Sequence, residues 1–293
     1  MPGLKEVRIR IASVKSTKQI TNAMRMVAAS KLRRAQNSIL KLRPYAAKLR
    51  EILQNLRSSI NDSKEDTFAN ERLPEKILLV VIASNRGLCG ALNSNVIKAT
   101  LELLDGTYAG QYRKKQVVLI TIGRRVSDFF QKRKYSVVKS YDEFLDQLTF
   151  VNVSKLAEKL IKSFVSGEYD RIDLVYNQFK NAAVQRLVVE RYLPFESSPS
   201  STTSKSKVDY LFEPDKETIL HELIPKTLRI QLFKAILDSY AAEMGARMTA
   251  MQQATDNANE LLKTLNIAYN KARQNAITNE LIEIVSGAEA LKG

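Results

Sequence analysis

The chain has 293 residues, of which 44% are hydrophobic and 26% are charged, and its formal net charge is +15. This composition is typical of a globular protein with one or two domains, and no apolar run approaches the roughly 20 residues of a membrane span. A single cysteine, Cys89, excludes an intrachain disulfide, and a single histidine, His221, leaves little scope for histidine-based metal or triad chemistry. Because the N-terminus lacks the apolar core of a secretory signal, we expect the mature chain to begin at Met1 or Pro2.

Residues 1–60 have the heptad pattern of a coiled-coil helix. Pro44 should kink this helix or interrupt it near Arg43. The first heptad row consists of Leu4, Ile11, Lys18, Arg25, Leu32, Ile39, Ala46, Leu53 and Ile60. The second row, three residues later, consists of Val7, Val14, Thr21, Ala28, Ala35, Leu42, Leu49 and Leu56.

The same helix is strongly basic, since Glu6 and Glu51 are its only acidic residues. A basic helix is compatible with phosphates, an anionic membrane surface or an acidic protein partner. Charge alone does not choose among these three. Tyr45 is its only aromatic residue, which argues against stacking on single-stranded nucleic acid.

A central α/β domain over residues 76–195 is predicted after a polar linker at 61–75. Strands are predicted at 76–83, 116–122, 171–177 and 184–192, a short edge strand at 135–139, and helices at 93–104, 124–132 and 153–166. The alternation predicts a small, Rossmann-like domain with a mainly parallel sheet. The last strand should be antiparallel to its predecessor, because their connection is too short for a crossover helix. Residues 196–207 are low in complexity and are predicted to be a mobile linker.

The loop at 84–90, with Gly87 and Gly90, follows the first strand where phosphate-binding turns occur. It matches neither G-x-x-x-x-G-K-[ST] nor G-x-G-x-x-G. We therefore expect a tight turn in which Cys89 packs as a small apolar residue. No catalytic triad, carboxylate pair or metal-ligand spacing stands out, so the chain is not expected to have a catalytic site, cofactor or metal.

Residues 209–293 carry a second long helix, predicted from about Thr218 to Leu291, about 100 Å in length. We predict that it pairs antiparallel with residues 1–60, since both ends have heptad spacing. Polar residues crowd its other faces, which suggests a surface that hydrogen-bonds to another molecule. The predicted seam consists of Leu237, Ala241, Met244, Met248, Met251, Thr255, Ala258, Leu262, Leu265, Tyr269, Ala272 and Ala276.

Three stretches resemble the gamma subunit of F-type ATP synthases, and together they span nearly the whole chain. They are the opening helix from Ile11 through Met24 to Pro44, the Gly87–Gly90 loop with Asn93, and the C-terminal helix. In that helix the resemblance covers 246–257, 269–274 and 277–288, which is a long and specific match.

The resemblance implies a central rotor shaft that couples ion flow to ATP synthesis or hydrolysis in the beta subunits. It implies one copy per complex, held in a hexamer of alternating alpha and beta subunits, with epsilon, delta and the membrane c-ring as further partners. ATP or ADP and Mg²⁺ would be held by the alpha and beta subunits. The expected location is the cytoplasmic face of the bacterial inner membrane, without insertion into it.

By the same resemblance, six residues are expected to contact the beta subunits, and three belong to a segment near the membrane ring. The beta-contact residues are Met24, Arg247, Arg273, Gln274, Thr278 and Glu280. The membrane-ring residues are Tyr210, Phe212 and Glu213. With Cys89 as the only cysteine, thiol regulation is not expected. The alternatives are a basic coiled-coil protein that binds nucleic acid and a mononucleotide-binding α/β enzyme.

Overall fold

Two very long helices stand at the two ends of the chain in the computed structural model, which describes residues 3–58, 72–195 and 216–290. Helix α1 runs over Leu4–Ser58 and helix α6 over Lys216–Ala290, with 55 and 75 residues. Helix α1 continues through Pro44, so it is not interrupted near Arg43. The Pro44 ring is exposed, and buried side chains on both sides of it, Ile39 and Leu49, hold the helix in place.

Between them lies an α/β domain with one five-stranded sheet. Its strands are β1 (Ile77–Ile82), β2 (Val117–Ile122), β3 (Val137–Ser140), β4 (Arg171–Phe179) and β5 (Gln185–Leu193). Their order is β3-β2-β1-β4-β5. All neighbouring pairs are parallel except β4 and β5, which form an antiparallel hairpin. The predicted mainly parallel sheet and its antiparallel last strand are confirmed.

One of the shorter helices has its predicted limits, 124–132, and the others differ by a few residues or were not predicted. They are α2 (Leu92–Glu102), α3 (Ala109–Arg113), α4 (Arg124–Lys132) and α5 (Phe150–Val165). Helix α5 begins earlier than position 153 because the Thr149 hydroxyl accepts the Asn152 N–H and caps the helix. Helix α3 was not predicted, and it follows a π-helical turn at Leu103–Thr107 that prolongs α2.

Both faces of the sheet are covered, which explains why every residue of β1 is buried. Alternate β1 residues point to opposite faces. On one face Leu78, Val80 and Ile82 join α5, Leu53 of α1 and the first part of α6. On the other face Ile77, Leu79 and Val81 join α2, α4 and the turn between α2 and α3.

Helix α6 is fixed to the domain through β5 and the β4–β5 hairpin. The Tyr192 hydroxyl donates to the Leu228 carbonyl oxygen at 3.1 Å. Further along α6, a Cβ added at Gly245 would lie 3.3 Å from both Cα and the carbonyl oxygen of Ala182 in the hairpin. The helix and the hairpin backbone therefore meet at a distance that only glycine permits without a shift.

The described residues form two compact units, one from 1–29 with 247–293 and the other from 30–246. Each long helix contributes to both units. The outer limits of the predicted segments 1–60 and 209–293 lie in residues that the structure does not describe. The segment boundaries therefore stay predictions.

Candidate contact surface of the terminal helices

The first part of α1 and the last part of α6 pack together along a seam in the unit of 1–29 and 247–293. Buried positions on α1 are Val7 and Ala28, and those on α6 include Met251, Ala258 and Leu265. All five belong to the predicted heptad rows. The antiparallel coiled coil expected from these rows is confirmed.

A pair of hydroxyl groups marks the register of the two helices. The Oγ1 atoms of Thr21 and Thr255 are 2.8 Å apart, and either can be the donor. Each hydroxyl also lies in hydrogen-bond distance of a carbonyl oxygen on its own helix, that of Lys18 at 3.0 Å and that of Met251 at 2.8 Å. Thr21 and Thr255, two polar members of the predicted heptad rows, are thus satisfied by hydrogen bonds across and along the helices.

In this register the end of α6 extends beyond the start of α1, with no other described helix beside it. Leu4 lies 17 residues before Thr21, and Ala272 lies 17 residues after Thr255, so the start of α1 falls opposite Ala272. Burial agrees, since Ala272 and Ala276 are half-buried and every residue from Ile277 to Ala290 is exposed. We name residues 277–290 the α6 tip.

Large apolar side chains are exposed on the α6 tip. None of them is among the contact residues predicted from the sequence. Their exposed fractions range from 50% to 67% for Ile277, Leu281, Ile282, Ile284 and Val285. Apolar side chains clustered on an exposed helix are typical of a surface that a partner covers. The signal was present in the sequence, because these residues continue an apolar stripe after the predicted seam ends at Ala276.

The predicted polar contact residues are placed on or next to the α6 tip, with one exception. Arg273, Gln274, Thr278 and Glu280 are exposed, and the Thr278 hydroxyl donates to the Gln274 carbonyl oxygen at 2.9 Å. Arg247 differs, because only 8% of it is exposed, although its position suggested an outward polar face.

On α1, Met24 is half-buried beside an intrahelical polar pair. The Arg25 guanidinium donates to the Asn22 side-chain oxygen from Nε at 3.3 Å and from Nη2 at 3.0 Å. Ile20, Met26 and Val27 are each more than half exposed on the same stretch. This part of α1 therefore presents apolar and basic groups side by side.

The loop after β1 is held together by its own polar groups. The Ser84 hydroxyl lies 2.6 Å from the Arg86 carbonyl oxygen and 2.9 Å from Asn93 Oδ1, and Asn93 Nδ2 is 3.3 Å from Cys89 Sγ. Cys89 is 1% exposed, as expected for a packed cysteine, and Gly90 has a φ of +61°. The glycine, asparagine and cysteine of this motif therefore have a structural role, which is to form and hold the turn.

The described residues offer neither a metal-binding cluster nor a membrane-spanning helix. Within 3–58, 72–195 and 216–290, no three His, Cys, Asp or Glu side chains are grouped to hold a metal ion. Across the same ranges no helix combines the length and the apolar character needed to cross a membrane. Tyr210, Phe212 and Glu213 lie outside the described residues, so their assignment to the membrane ring stays a prediction.

Comparison with known proteins decides the family. A family model described as ATP synthase matches residues 3–291. ATP synthase gamma chains of Flavobacterium psychrophilum and Flavobacterium johnsoniae are each 53% identical over 293 residues, covering both chains in full. The chain belongs to the ATP synthase gamma chain family. The gamma chain of Cytophaga hutchinsonii is 47% identical over 99% of both chains.

Solved structures agree with this gamma-chain fold. The rotor of the Euglena gracilis mitochondrial ATP synthase matches with a TM-score of 0.65 at 22% identity, over 94% of this chain and 98% of that one. An OSCP/F1/c-ring structure of the same enzyme matches with a TM-score of 0.67 at 22% identity, over 98% and 94%. As a gamma chain, the protein is the central rotor subunit of a multi-subunit ATP synthase, and the nucleic-acid alternative has no support.

Proposed function

We propose that the α6 tip, with Arg273 and Gln274 before it, contacts the beta subunits, and that Met24 on α1 and Arg247 on α6 contact them at a separate level of the coiled coil. The exposure of every residue from Ile277 to Ala290 supports this proposal, because five of them are large apolar side chains. A monomeric helix gains nothing from such residues in water, whereas a surrounding partner would bury them. Arg273, Thr278 and Glu280 then add charge and hydrogen-bonding groups to the same surface.

Such a surface can drive chemistry that the chain does not perform itself. A beta subunit with open and closed states responds to the shaft only if the shaft contacts the two states differently. Moving such an equilibrium from 1:99 to 99:1 takes about 5.5 kcal/mol of differential interaction. A few charge-assisted hydrogen bonds at about 1.5–3 kcal/mol each reach that value. The seam between α1 and α6 keeps the two helices in register and so transmits torque.

The remaining parts of the assembly follow from the same proposal. ATP or ADP and Mg²⁺ are held by the alpha and beta subunits, and this chain has no catalytic site. One copy stands in the alpha/beta hexamer and meets the epsilon and delta subunits and the c-ring, with Tyr210, Phe212 and Glu213 near the ring. The complex is located at the cytoplasmic face of the bacterial inner membrane, where this chain neither inserts into the lipid nor binds nucleic acid.

The first experiment compares the α6 tip with exposed apolar residues elsewhere. Leu281→Ser and Ile284→Ser are introduced together, and Val138→Ser with Val151→Ser, 58% and 63% exposed, is the matched control. We expect the tip variant to lower ATP hydrolysis by the purified complex while the isolated chain keeps its helicity. Unchanged hydrolysis in a fully assembled tip variant would contradict the proposal.

The polar contacts need a separate test, for which Arg273→Ala and Glu280→Ala are suited because both side chains are exposed. We expect each to reduce ATP turnover without changing the unfolding midpoint of the chain. Arg247→Ala is a less clean test, because truncating a side chain that is only 8% exposed also alters packing. A lowered midpoint for Arg273→Ala would indicate a structural role instead.

A further inference from the structure

A cavity of about 350 Å³ lies between α1, α6 and the sheet, within the unit of residues 30–246. Ligand pockets start at about 300 Å³, so the cavity has room for a small molecule. Its apolar walls come from both long helices and from Phe195, two residues after β5. The apolar lining includes Ile39, Leu42, Ala46, Leu49, Ile230 and Phe195.

One polar atom in this lining is buried and has no hydrogen-bond donor in the part of the chain that the structure describes. Asp238 of α6 is only 3% exposed, and its Oδ1 atom has no hydrogen bond among the described residues. A carboxylate only accepts hydrogen bonds, so a buried oxygen without a donor is costly. The donor that this oxygen lacks can come from a molecule in the cavity.

The neighbouring carboxylate shows what a satisfied group looks like here. Glu190 of β5 accepts the Tyr176 hydroxyl at 2.7 Å and the Gln231 side-chain N–H at 2.8 Å. Within the described residues, Asp238 Oδ1 has no such donor, and neither Arg43 nor Lys234, which line the same cavity, reaches hydrogen-bond distance of it. Among the described side chains that line this cavity, Asp238 therefore carries the one buried oxygen without a hydrogen bond.

We propose that this cavity binds a small apolar molecule carrying one protonated primary amine, with the ammonium group on the Asp238 carboxylate. An ammonium group supplies three donors and a charge opposite to that of the carboxylate. The apolar body then packs against Ile39, Leu42 and Ile230. Because these residues come from α1 and α6, the bound molecule bridges the two helices.

The charges around Asp238 are mixed in sign, because Arg43 and Lys234 also line the cavity. Burial raises the pKa of Asp238 to about 6, Lys234 and Arg43 lower it, and Glu190 raises it. At pH 7.5 the carboxylate is therefore charged, and the two basic side chains stabilise it from a distance. An ammonium group in direct contact provides the short hydrogen bond that they do not.

The experiment titrates the purified full chain at pH 7.5 with three molecules of one shape. These are 4-phenylbutylamine, 4-phenylbutanol and 4-phenylbutyrate, which are cationic, neutral and anionic. Calorimetry should show the amine binding about 10- to 100-fold more tightly than the alcohol, and the acid binding more weakly still. Equal affinities of amine and alcohol would overturn the proposal.

Variants then test whether the cavity is the binding site. Asp238→Asn should remove the preference for the amine, whereas Asp128→Asn, the same change at an exposed site, should retain it. Ala46→Phe should fill the cavity and weaken binding of all three molecules. Thermal melting reports whether each variant folds. Retained amine affinity in a folded Asp238→Asn or Ala46→Phe variant refutes the site, and if Asp238→Asn does not fold, Ala46→Phe and the three-molecule comparison decide.

Discussion

Residues 235–245 and 277–290 belong to the same helix, α6, yet their surroundings are opposite. From Ala235 to Gly245 every residue is buried except Tyr240, which is half-buried, and Asp238, Ser239 and Glu243 are buried with the rest. From Ile277 to Ala290 every residue is exposed, including five large apolar side chains. The first segment is stabilised by packing against its own chain. The apolar side chains of the second segment make no such packing contacts among the described residues.

The contrast separates two reasons for an apolar residue on a helix. In the first segment apolar side chains hold the fold, and their loss should appear as reduced stability. In the α6 tip they contribute little to the stability of the isolated chain and should matter only in the assembled complex. Substitutions in the two segments test this separation.

Truncation at one buried and one exposed isoleucine gives the most direct test. Ile236 is 0% exposed. Ile236→Ala should lower the free energy of unfolding by about 2–5 kcal/mol, because the truncated side chain leaves a cavity. Ile284→Ala, at a residue 67% exposed, should stay within about 0.5 kcal/mol. Urea unfolding of the full chain measures both. Equal losses would show that the α6 tip also stabilises the chain.

The pH dependence of stability should carry the signature of Asp238. Because its pKa rises from 3.8 to about 6 on folding, protonated Asp238 favours the folded state and that stability is lost as pH increases from about 4 to 6. Arg43, Lys234 and Glu190 are the charged groups that act on it. Asp238→Asn should remove this dependence of the free energy of unfolding on pH. At pH 7 it should raise the free energy of unfolding by up to about 3 kcal/mol relative to the wild type. Parallel pH profiles of the two proteins would contradict the assignment.

Two glycines of α6 form a matched pair. At Gly245 an added Cβ meets Ala182 at 3.3 Å, whereas at Gly287 nothing lies within 4 Å. Gly245→Val should therefore cost about 1–3 kcal/mol through overpacking, and Gly287→Val should cost nothing measurable. Thermal unfolding of the full chain compares them. A destabilised Gly287→Val variant would mean that the α6 tip packs against another part of the chain.

The hydroxyl pair in the seam should give the smallest effect. Thr255→Val removes the bond to Thr21 at nearly constant volume and should cost about 0.5–1.5 kcal/mol. Thr264→Val is the control, since its hydroxyl is exposed and donates only to the Glu260 carbonyl oxygen. Adding Thr21→Val to Thr255→Val should cost less than the sum of the single changes. Full additivity would show that the hydroxyl pair does not couple the helices.

Much of the fold was predictable because periodicity reports burial. The heptad rows identified the buried residues Val7, Ala28 and Leu265, and the continuous apolar run at 76–83 identified β1 as a strand covered on both faces. The short connection before β5 was enough to predict its direction. Each of these inferences depends on a repeating pattern or a chain length.

Single residues with unusual surroundings were harder to predict. Continuation of α1 through Pro44 depends on packing on either side, which local propensity does not contain. The burial of Arg247 depends on neighbours distant in sequence, and Thr149 is recognisable as a cap only once the start of α5 is known. The α6 tip was predicted as a polar surface, because its apolar side chains look like buried residues of a continuing seam. Only a comparison of the lengths of α1 and α6 shows that they are exposed.

The close approach of α6 to the β4–β5 hairpin has a mechanical consequence. An α-helix advances 1.5 Å and turns by about 100° per residue, so any slip of α6 along its axis or any twist about it brings a side chain to the place of Gly245. Ala182 leaves no room there for even a methyl group without a shift of the backbone. The hairpin therefore blocks both motions sterically. Torque applied to α6 is transmitted to the sheet and is not lost through slippage of the helix.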